Sequence, residues 1–248
     1  MITSVNAEMA MLNRVFVKSA GTGIEHWTTN FIGNRATKVL NEPQVMLIEM
    51  SENEKIIAHY HEVDQFQIFV AGSGHLAKDK STPLTLQYAD QYTAYGPIIA
   101  GPQGLSYFVF RANTDSGSVY LDRPGYREKL KPSKKRNRLS LPLTLSTEPV
   151  LKSLKTIKLE PLLDSEDCYD GIGAYILRMG SNQDFQGPDP RTTGGQYWFV
   201  VNGSISYNGE KFPLWSTVFV DSNEMPIGIA SLSEGAEIIL MQFSPHLA

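Results

Sequence analysis

Apolar positions along this chain fall in short runs. VMLIEM (45–50), FQIFVAG (66–72), LSYFVFR (105–111), YILRM (175–179), YWFVVNG (197–203), STVFV (216–220) and EIILMQF (237–243) each span five to seven residues. They are rich in β-branched and aromatic side chains, and Gly, Pro, Asn, Asp and Ser separate them. Runs of this length with turn residues between them predict the strands of an all-β sandwich or barrel. A 3.6-residue period is weak throughout. Short helices are expected only around residues 8–13 and 149–154.

A repeat orders these strands. Gln65-Phe-Gln-Ile-Phe-Val-Ala-Gly72-Ser73 matches Gln196-Tyr-Trp-Phe-Val-Val-Asn-Gly203-Ser204 at an offset of 131 residues. Each copy reads as a strand running into a glycine turn. Pro83-Leu84 matches Pro213-Leu214 at 130, Pro97 matches Pro226 at 129, and Gly104 matches Gly235 at 131. Four anchors in one order at a near-constant offset predict two copies of one β module. Between the copies lies REKLKPSKKRNR (127–138), with seven basic residues and one acidic one, in a stretch punctuated by Pro124, Pro132, Pro142 and Pro149. It reads as an exposed connector. Contact with a polyanion is the rival reading, but no aromatic residue interleaves the basic run to stack on bases. The boundaries expected from sequence are 1–125 for the first module, 126–165 for the connector and 166–248 for the second module.

Composition narrows the classes. The 248 residues suit one large β domain or two compact ones. With 42% hydrophobic and 19% charged residues, there is enough apolar surface to offset the entropy of folding. A net charge of −4 lacks the basic footprint of a general nucleic-acid binder. The single cysteine, Cys168, rules out an intrachain disulfide and a multi-cysteine zinc site, and fits a reducing compartment. It sits among four acids in DSEDCYDG (164–171), which oppose thiolate formation, so no nucleophile is expected there. The first residues show no basic segment followed by a long apolar run. No stretch approaches the ~18 apolar residues of a membrane span. The expectation is therefore a cytoplasmic protein with a small-molecule ligand, no nucleic-acid partner and no membrane. No G-x-S-x-G and no P-loop is present.

Candidate chemistry concentrates in IIAHYH (56–61). His59 and His61 stand at i and i+2, which puts both on one face of a strand. Two imidazoles so placed can converge on one ion, and imidazole suits Fe, Ni, Cu or Zn. Three residues later the next strand begins at Gln65. A connection that short lets it fold back beside the histidines, with Gln65 and Gln67 sharing a face.

These residues resemble the first motif of the cupin superfamily, whose pattern is G, five residues, H-x-H, three or four residues, E, six residues, G. His59, His61, Gln65 and Gly72 fall on it at the required spacings. With the repeat, the chain is similar to a bicupin, and the resemblance spans about residues 40–112 and 170–244. It implies two cupin-type β-barrels (the double-stranded β-helix or RmlC-like jelly roll) in one chain, and a homodimer. It also implies a divalent transition metal (Fe, Ni, Mn or Zn) held by His59, His61 and Gln65. The departures are specific. Asn53 replaces the leading glycine, and Gln65 replaces a glutamate and brings no negative charge. The region of the second motif, Asp90 to Gly101, has no histidine. In the second module the H-x-H positions hold Pro190 and Thr192, and no histidine lies between His75 and His246. The second copy is therefore expected to be degenerate.

Further candidates for ligand or pocket are Gln67, His75, Tyr92, Tyr95 and Arg111. His75 reads either as a ligand on the returning strand or as an exposed turn histidine. Arg111 reads either as a clamp for a planar anion or as a solvated strand terminus. Trp198 reads as core, Glu62 and Asp64 as a solvated loop pair, and His26 and His246 as surface or packing residues. Two functions follow. One is a metal-dependent enzyme acting on a small organic molecule, either dioxygenase-like or an isomerase. The other is a metal-free small-molecule binding or sensing protein with the same residues as hydrogen-bonding groups.

Overall fold

The computed structural model describes residues 1–18, 23–33, 41–163 and 169–245. Cys168 and His246 lie outside the described residues. The chain is all-β. Its strands are β1 (Ile2–Val5), β2 (Val15–Lys18), β3 (Glu25–Ile32), β4 (Gln44–Met50), β5 (Lys55–Ile56), β6 (His59–Tyr60), β7 (Gln65–Leu76), β8 (Asp79–Ser81), β9 (Leu86–Ala89), β10 (Ile98–Arg111), β11 (Val119–Tyr120) and β12 (Asn137–Leu139). Then follow β13 (Lys158–Pro161), β14 (Gly173–Met179), β15 (Asp184–Gln186), β16 (Gln196–Tyr207), β17 (Glu210–Phe212), β18 (Thr217–Val220) and β19 (Gly228–Gln242). Two short helices, α1 (Ala7–Met11) and α2 (Glu148–Ser153), fall where the sequence places them. No helix among the described residues is long and apolar enough to cross a membrane.

The strands form two compact units, each built on one large antiparallel sheet. Residues 13–143 carry the order β12-β9-β7-β10-β4-β3-β2, and residues 1–12 with 144–248 carry β1-β18-β16-β19-β14-β13. These are not the boundaries drawn from sequence. The first twelve residues belong with the C-terminal unit, because Ile2–Val5 pairs with Val220–Thr217. The segment 126–165 is more than a connector. Asn137–Leu139 pairs with β9, and Lys158–Pro161 pairs with β14. Within the basic run Arg136 is buried, forming an ion pair with Asp90 whose shortest contact is 2.8 Å.

The repeat is visible strand by strand. The starts of β7 and β16, of β8 and β17, and of β9 and β18 are each 131 residues apart. The glycines of the repeat are not hairpin turns, as the sequence suggested, but points where long strands bulge. Gly72 (φ +71°) faces Gly104, and Gly203 (φ +66°) faces Gly235. A Cβ on Gly72 would lie 2.2 Å from the Gly104 oxygen, and one on Gly203 2.0 Å from the Gly235 oxygen. Only glycine fits such an approach with φ positive. The Pro-Leu anchor is one residue out of step. Leu84 (φ +65°) corresponds to Trp215 (φ +68°), since their N–H groups donate to Phe69 and Val200 at 2.7 and 2.8 Å.

Both faces of the central strands are buried, so their sequences read as continuous apolar runs rather than alternations. In residues 13–143 one face carries Met46, Ile48, Met50, Phe69, Leu105, Tyr107 and Val109 as a contiguous core. The corresponding cluster of the other unit is apolar throughout and centres on Leu177, Met179, Trp198, Val200, Ile238 and Leu240. Position 67 of the first unit thus carries glutamine where position 198 of the second carries tryptophan. The pattern of period two alone places the polar residues of the first unit into its own core.

Candidate functional site

Polar residues enter the first unit's core at one end of its strands. Gln44 of β4, Gln65 and Gln67 of β7, and Arg111 of β10 continue the rows begun by Met46, Phe69 and Val109. His59 and Tyr60 form β6, which pairs with β11, and His61 follows directly. Alternation sends Tyr60 the other way, where its hydroxyl donates to the Tyr126 carbonyl at 2.7 Å. The two imidazoles stand 5.1 Å apart, edge to face, as the i, i+2 spacing predicts.

The hydrogen bonds around His59 run in one direction. Its Nδ1 lies 2.8 Å from the Ile57 carbonyl, which only accepts, so Nδ1 carries the hydrogen. Burial first, then the neighbouring His61, lowers its pKa to about 3, so the ring is neutral and Nε2 is an acceptor. The partner of Nε2 is the Tyr95 hydroxyl at 3.0 Å, which therefore donates to it. With its one hydrogen committed, the Tyr95 oxygen accepts from the amide nitrogens of Gln65 at 2.5 Å and Gln67 at 3.3 Å. Burial pushes the Tyr95 phenol pKa up, which keeps that proton in place.

Arg111 and Asp115 form the second half of the cluster. Asp115 lies one loop beyond β10 and accepts from His61 Nδ1 at 2.7 Å. Arg111 reaches the same carboxylate at 3.3 Å. Burial opposes ionisation of Asp115, but His61 and Arg111 beside it, and the hydrogen bonds from His61 and the Gly117 N–H, outweigh burial and hold its pKa well below the usual carboxylate range. The Arg111 Nε and one terminal nitrogen donate to Gln65 Oε1 at 3.1 and 3.0 Å. That terminal nitrogen is also 3.2 Å from both ring nitrogens of His61. Equal distances to the two nitrogens place it over the ring face.

The cluster borders a cavity of about 450 Å³. Its wall is largely apolar, with Val15, Val17, Ile24, Met46, Ile48, Ile56 and Val109, and tyrosines 95, 107 and 120. Gln67 Oε1 is buried without a hydrogen-bond partner among the described residues.

The structure therefore brings together His59, His61, Gln65, Gln67, Tyr95 and Arg111. It does not bring in His75 or Tyr92. His75 is exposed, pairing with Ile99 and Lys80 at the far end of β7. Tyr92 lies behind His61, its N–H on the His61 carbonyl at 2.7 Å, and does not line the cavity. His26, read as a surface or packing residue, lines the cavity instead. Asp115, Tyr120 and Gln44 were not singled out from sequence. Asp115 had one available signal, an acid four residues after an arginine that ends a strand.

The donor set is a poor match for a divalent metal. Among the described residues no group of three or more His, Cys, Asp or Glu could hold an ion. Gln65 Oε1, the expected third ligand, is held by Arg111. A guanidinium keeps its charge at any working pH and would repel a cation placed at His61. As arranged, the residues do not fit a resident metal.

The fold is that of the cupin proteins. A candidate dioxygenase of Nostoc punctiforme aligns with a TM-score of 0.64 at 10% identity, over 99% of this chain and 84% of that one. The oxalate decarboxylase of Bacillus subtilis, described with Mn(II) centres, aligns at 0.56 and 11%, over 100% and 78%. The bacterial pirin YhhW of Escherichia coli, in complex with nickel(II), aligns at 0.53 and 14%, over 99% and 100%. Identities this low establish the fold alone. No family model matches the sequence. No curated protein matches it either.

Proposed function

We propose that the chain is a two-module cupin whose two sheets correspond to two cupin-type barrels. The N-terminal module binds a small organic molecule without a metal, and the C-terminal module is degenerate. One observation carries this reading. Arg111 occupies Gln65 Oε1 and the face of His61, so Gln65 is engaged away from a ligand role while His59 and His61 line the cavity as hydrogen-bonding groups. The cavity has the volume of a metabolite-sized site, and its mix of apolar wall and few polar groups is that of a ligand pocket.

A second reading has its own support. His59 and His61 are each anchored through Nδ1 on an oxygen, the arrangement that presents Nε2 to a metal in many metalloproteins. It requires Arg111 to leave Gln65 and His61, and the Tyr95 hydroxyl to leave His59 Nε2. A metal-dependent enzyme, dioxygenase-like or an isomerase, is the form this reading takes, and the metal-bearing neighbours favour it as relatives in fold.

Elemental analysis of protein purified without a histidine tag separates the two. The expected result is far less than one equivalent of Fe, Mn, Ni or Zn, with no thermal stabilisation on adding them. Under a chelator, small organic molecules should still raise Tm, because a ligand at 100 times its Kd adds about 2.7 kcal/mol to stability. Near-stoichiometric metal that disappears in His59→Ala and His61→Ala would overturn the metal-free reading.

A further inference from the structure

The β3 wall of the cavity is polar along its length. His26, Thr28 and Asn30 all line it. Register fixes where they point. They lie opposite Met50, Ile48 and Met46 of β4, which belong to the core face. Directly opposed side chains stand on one face of a sheet, so the row faces inward. All three stay partly accessible, whereas Thr29 between them, on the other face, is buried. Among the described residues, neither the Thr28 hydroxyl nor the Asn30 side-chain amide has a hydrogen-bond partner. The second unit shows that the sheet does not need this row. Tyr107 and Val109 of β10 correspond to Ile238 and Leu240 of β19, 131 residues on. Along the ladders Tyr107 leads through Ile48 to Thr28, and Ile238 leads through Leu177 to Leu159. Val109 leads through Met46 to Asn30, and Leu240 leads through Tyr175 to Pro161. Leucine and proline thus hold the positions of Thr28 and Asn30, and folding alone does not call for the hydroxyl and the amide.

Charge narrows the ligand class. Among the described residues no aspartate or glutamate lines the cavity, so a cationic ligand would meet no counter-charge. Arg111 and Lys18 border it, and each already has a carboxylate. Arg111 pairs with Asp115 at 3.3 Å. Lys18 lies opposite Glu25, one residue out of phase with Val17 and His26. Alternation turns Lys18 and Glu25 to the outer face, where they pair at 2.7 Å. An anion would have to break one of these pairs or bury its charge unmatched. A neutral ligand meets neither obstacle. Thr28, Asn30 and Ser118 in the wall each both donate and accept, which matches hydroxyl groups better than groups that only accept or only donate. The floor beside the row, formed by Met46, Ile48 and Val109, is apolar.

We propose that Thr28 and Asn30 are the recognition residues of this cavity, and that its ligand is a neutral diol or polyol. The ligand lays an apolar face on Met46, Ile48 and Val109 and carries its hydroxyls along one edge, toward β3. Side chains at i and i+2 of a strand set those hydroxyls about 7 Å apart. This rests on the reading of the first module as a small-molecule site, and deepens it by naming the class and the residues that select it.

The test uses the full chain under chelation and four probes of one shape: 1,4-benzenedimethanol, 4-methylbenzyl alcohol, p-xylene and 4-(hydroxymethyl)benzoate. Calorimetric titration should rank the dimethanol first, the single alcohol second and p-xylene third, with the benzoate below the dimethanol. Thr28→Val keeps the shape and removes the hydroxyl, and Asn30→Leu removes the amide. Each should weaken the dimethanol about 2- to 12-fold, the range of one net hydrogen bond, without weakening p-xylene. The probe ranking on the unaltered protein decides even where a variant does not fold. A benzoate that binds more tightly than the dimethanol overturns the proposal. So does a dimethanol that binds no better than p-xylene, or a ranking that both variants keep. Failure of all four probes to bind sinks the small-molecule reading itself, whereas binding without a hydroxyl preference sinks only the role of Thr28 and Asn30.

Discussion

His59 shows how a single buried side chain sets the acid sensitivity of this fold. Its folded pKa, about 3, lies below the 6.5 of an unperturbed histidine. As pH falls through 6.5 the unfolded chain takes up a proton that the folded protein refuses. Stability is thus lost on acidification, from the unfolded value down to the folded one. Above pH 6.5 the group contributes no pH dependence. The slope is roughly 1.4 kcal/mol per pH unit for one such proton. Asp115 has the same sign in a lower window: its depressed pKa gives stability that is present above the ordinary carboxylate range and lost only in stronger acid. The two effects separate in pH. Urea denaturation between pH ~6.5 and ~4.5 reads His59 while most carboxylates stay ionised. His59→Gln should flatten the wild-type slope in that window by about one proton. An unchanged slope would mean that the imidazole is protonated in the folded state, and the relay through Tyr95 to Gln67 would lose its direction.

The paired bulges govern what the strands present. Gly72→Ala meets both a positive φ and a Cβ only 2.2 Å from the Gly104 oxygen. Gly209 also has positive φ, but nothing lies within 4 Å of its would-be Cβ. Gly209→Ala should therefore cost about 1–2 kcal/mol, the left-handed penalty alone. Gly72→Ala should cost clearly more, about 3 kcal/mol or above, because backbone must also move. Equilibrium unfolding in urea compares them, and equal costs would sink the claim of a close strand approach. The bulge also explains where the sequence misleads. Gln65, Gln67 and Phe69 share a face, and simple parity puts His75 on it as well. The register of β7 against β10 shifts twice between Phe69 and Gly74, and Leu76, not His75, returns to the core. The same flip occurs in β16, where Trp198 and Val200 share their core with Ile205 and Tyr207. Gln65, Gln67 and the strand bearing Arg111 were legible because they lie on regular strand with period two, and the H-x-H pair because its own i, i+2 spacing marks it. Asp115 and Tyr120 were not, because a loop and a two-residue strand carry no periodicity to place them.

At the scale of the whole molecule, duplication was legible and its wiring was not. The repeat gave the two units, since Gln65, Gly72 and Gly104 recur with their structural partners 131 residues on. It could not say which segment covers the outer edge of β9 and of β18, because the covering strands are not themselves repeated. In residues 13–143 that edge is taken by β12, with Asn137 opposite Ala89. In the other unit it is taken by β1, with Ile2 opposite Val220. Val220 is the counterpart of Ala89, so two unrelated segments fill one structural position. An uncovered strand edge leaves unpaired N–H and C=O groups, which proteins avoid. The residues before Asn13 are therefore an integral strand of the C-terminal unit. Its seat is reinforced by the Ala7 N–H on the Ser216 hydroxyl at 3.0 Å and by Asn6 on the Lys211 carbonyl at 3.1 Å. Removing residues 2–12 should lower Tm and abolish slow amide exchange on the β1-facing side of Thr217–Val220. Leu86–Ala89, covered by β12, should keep its protection. Hydrogen exchange read by mass spectrometry follows both peptides in one experiment. Equal protection of Thr217–Val220 with and without residues 2–12 would return the first twelve residues to the N-terminal module, where sequence alone had put them.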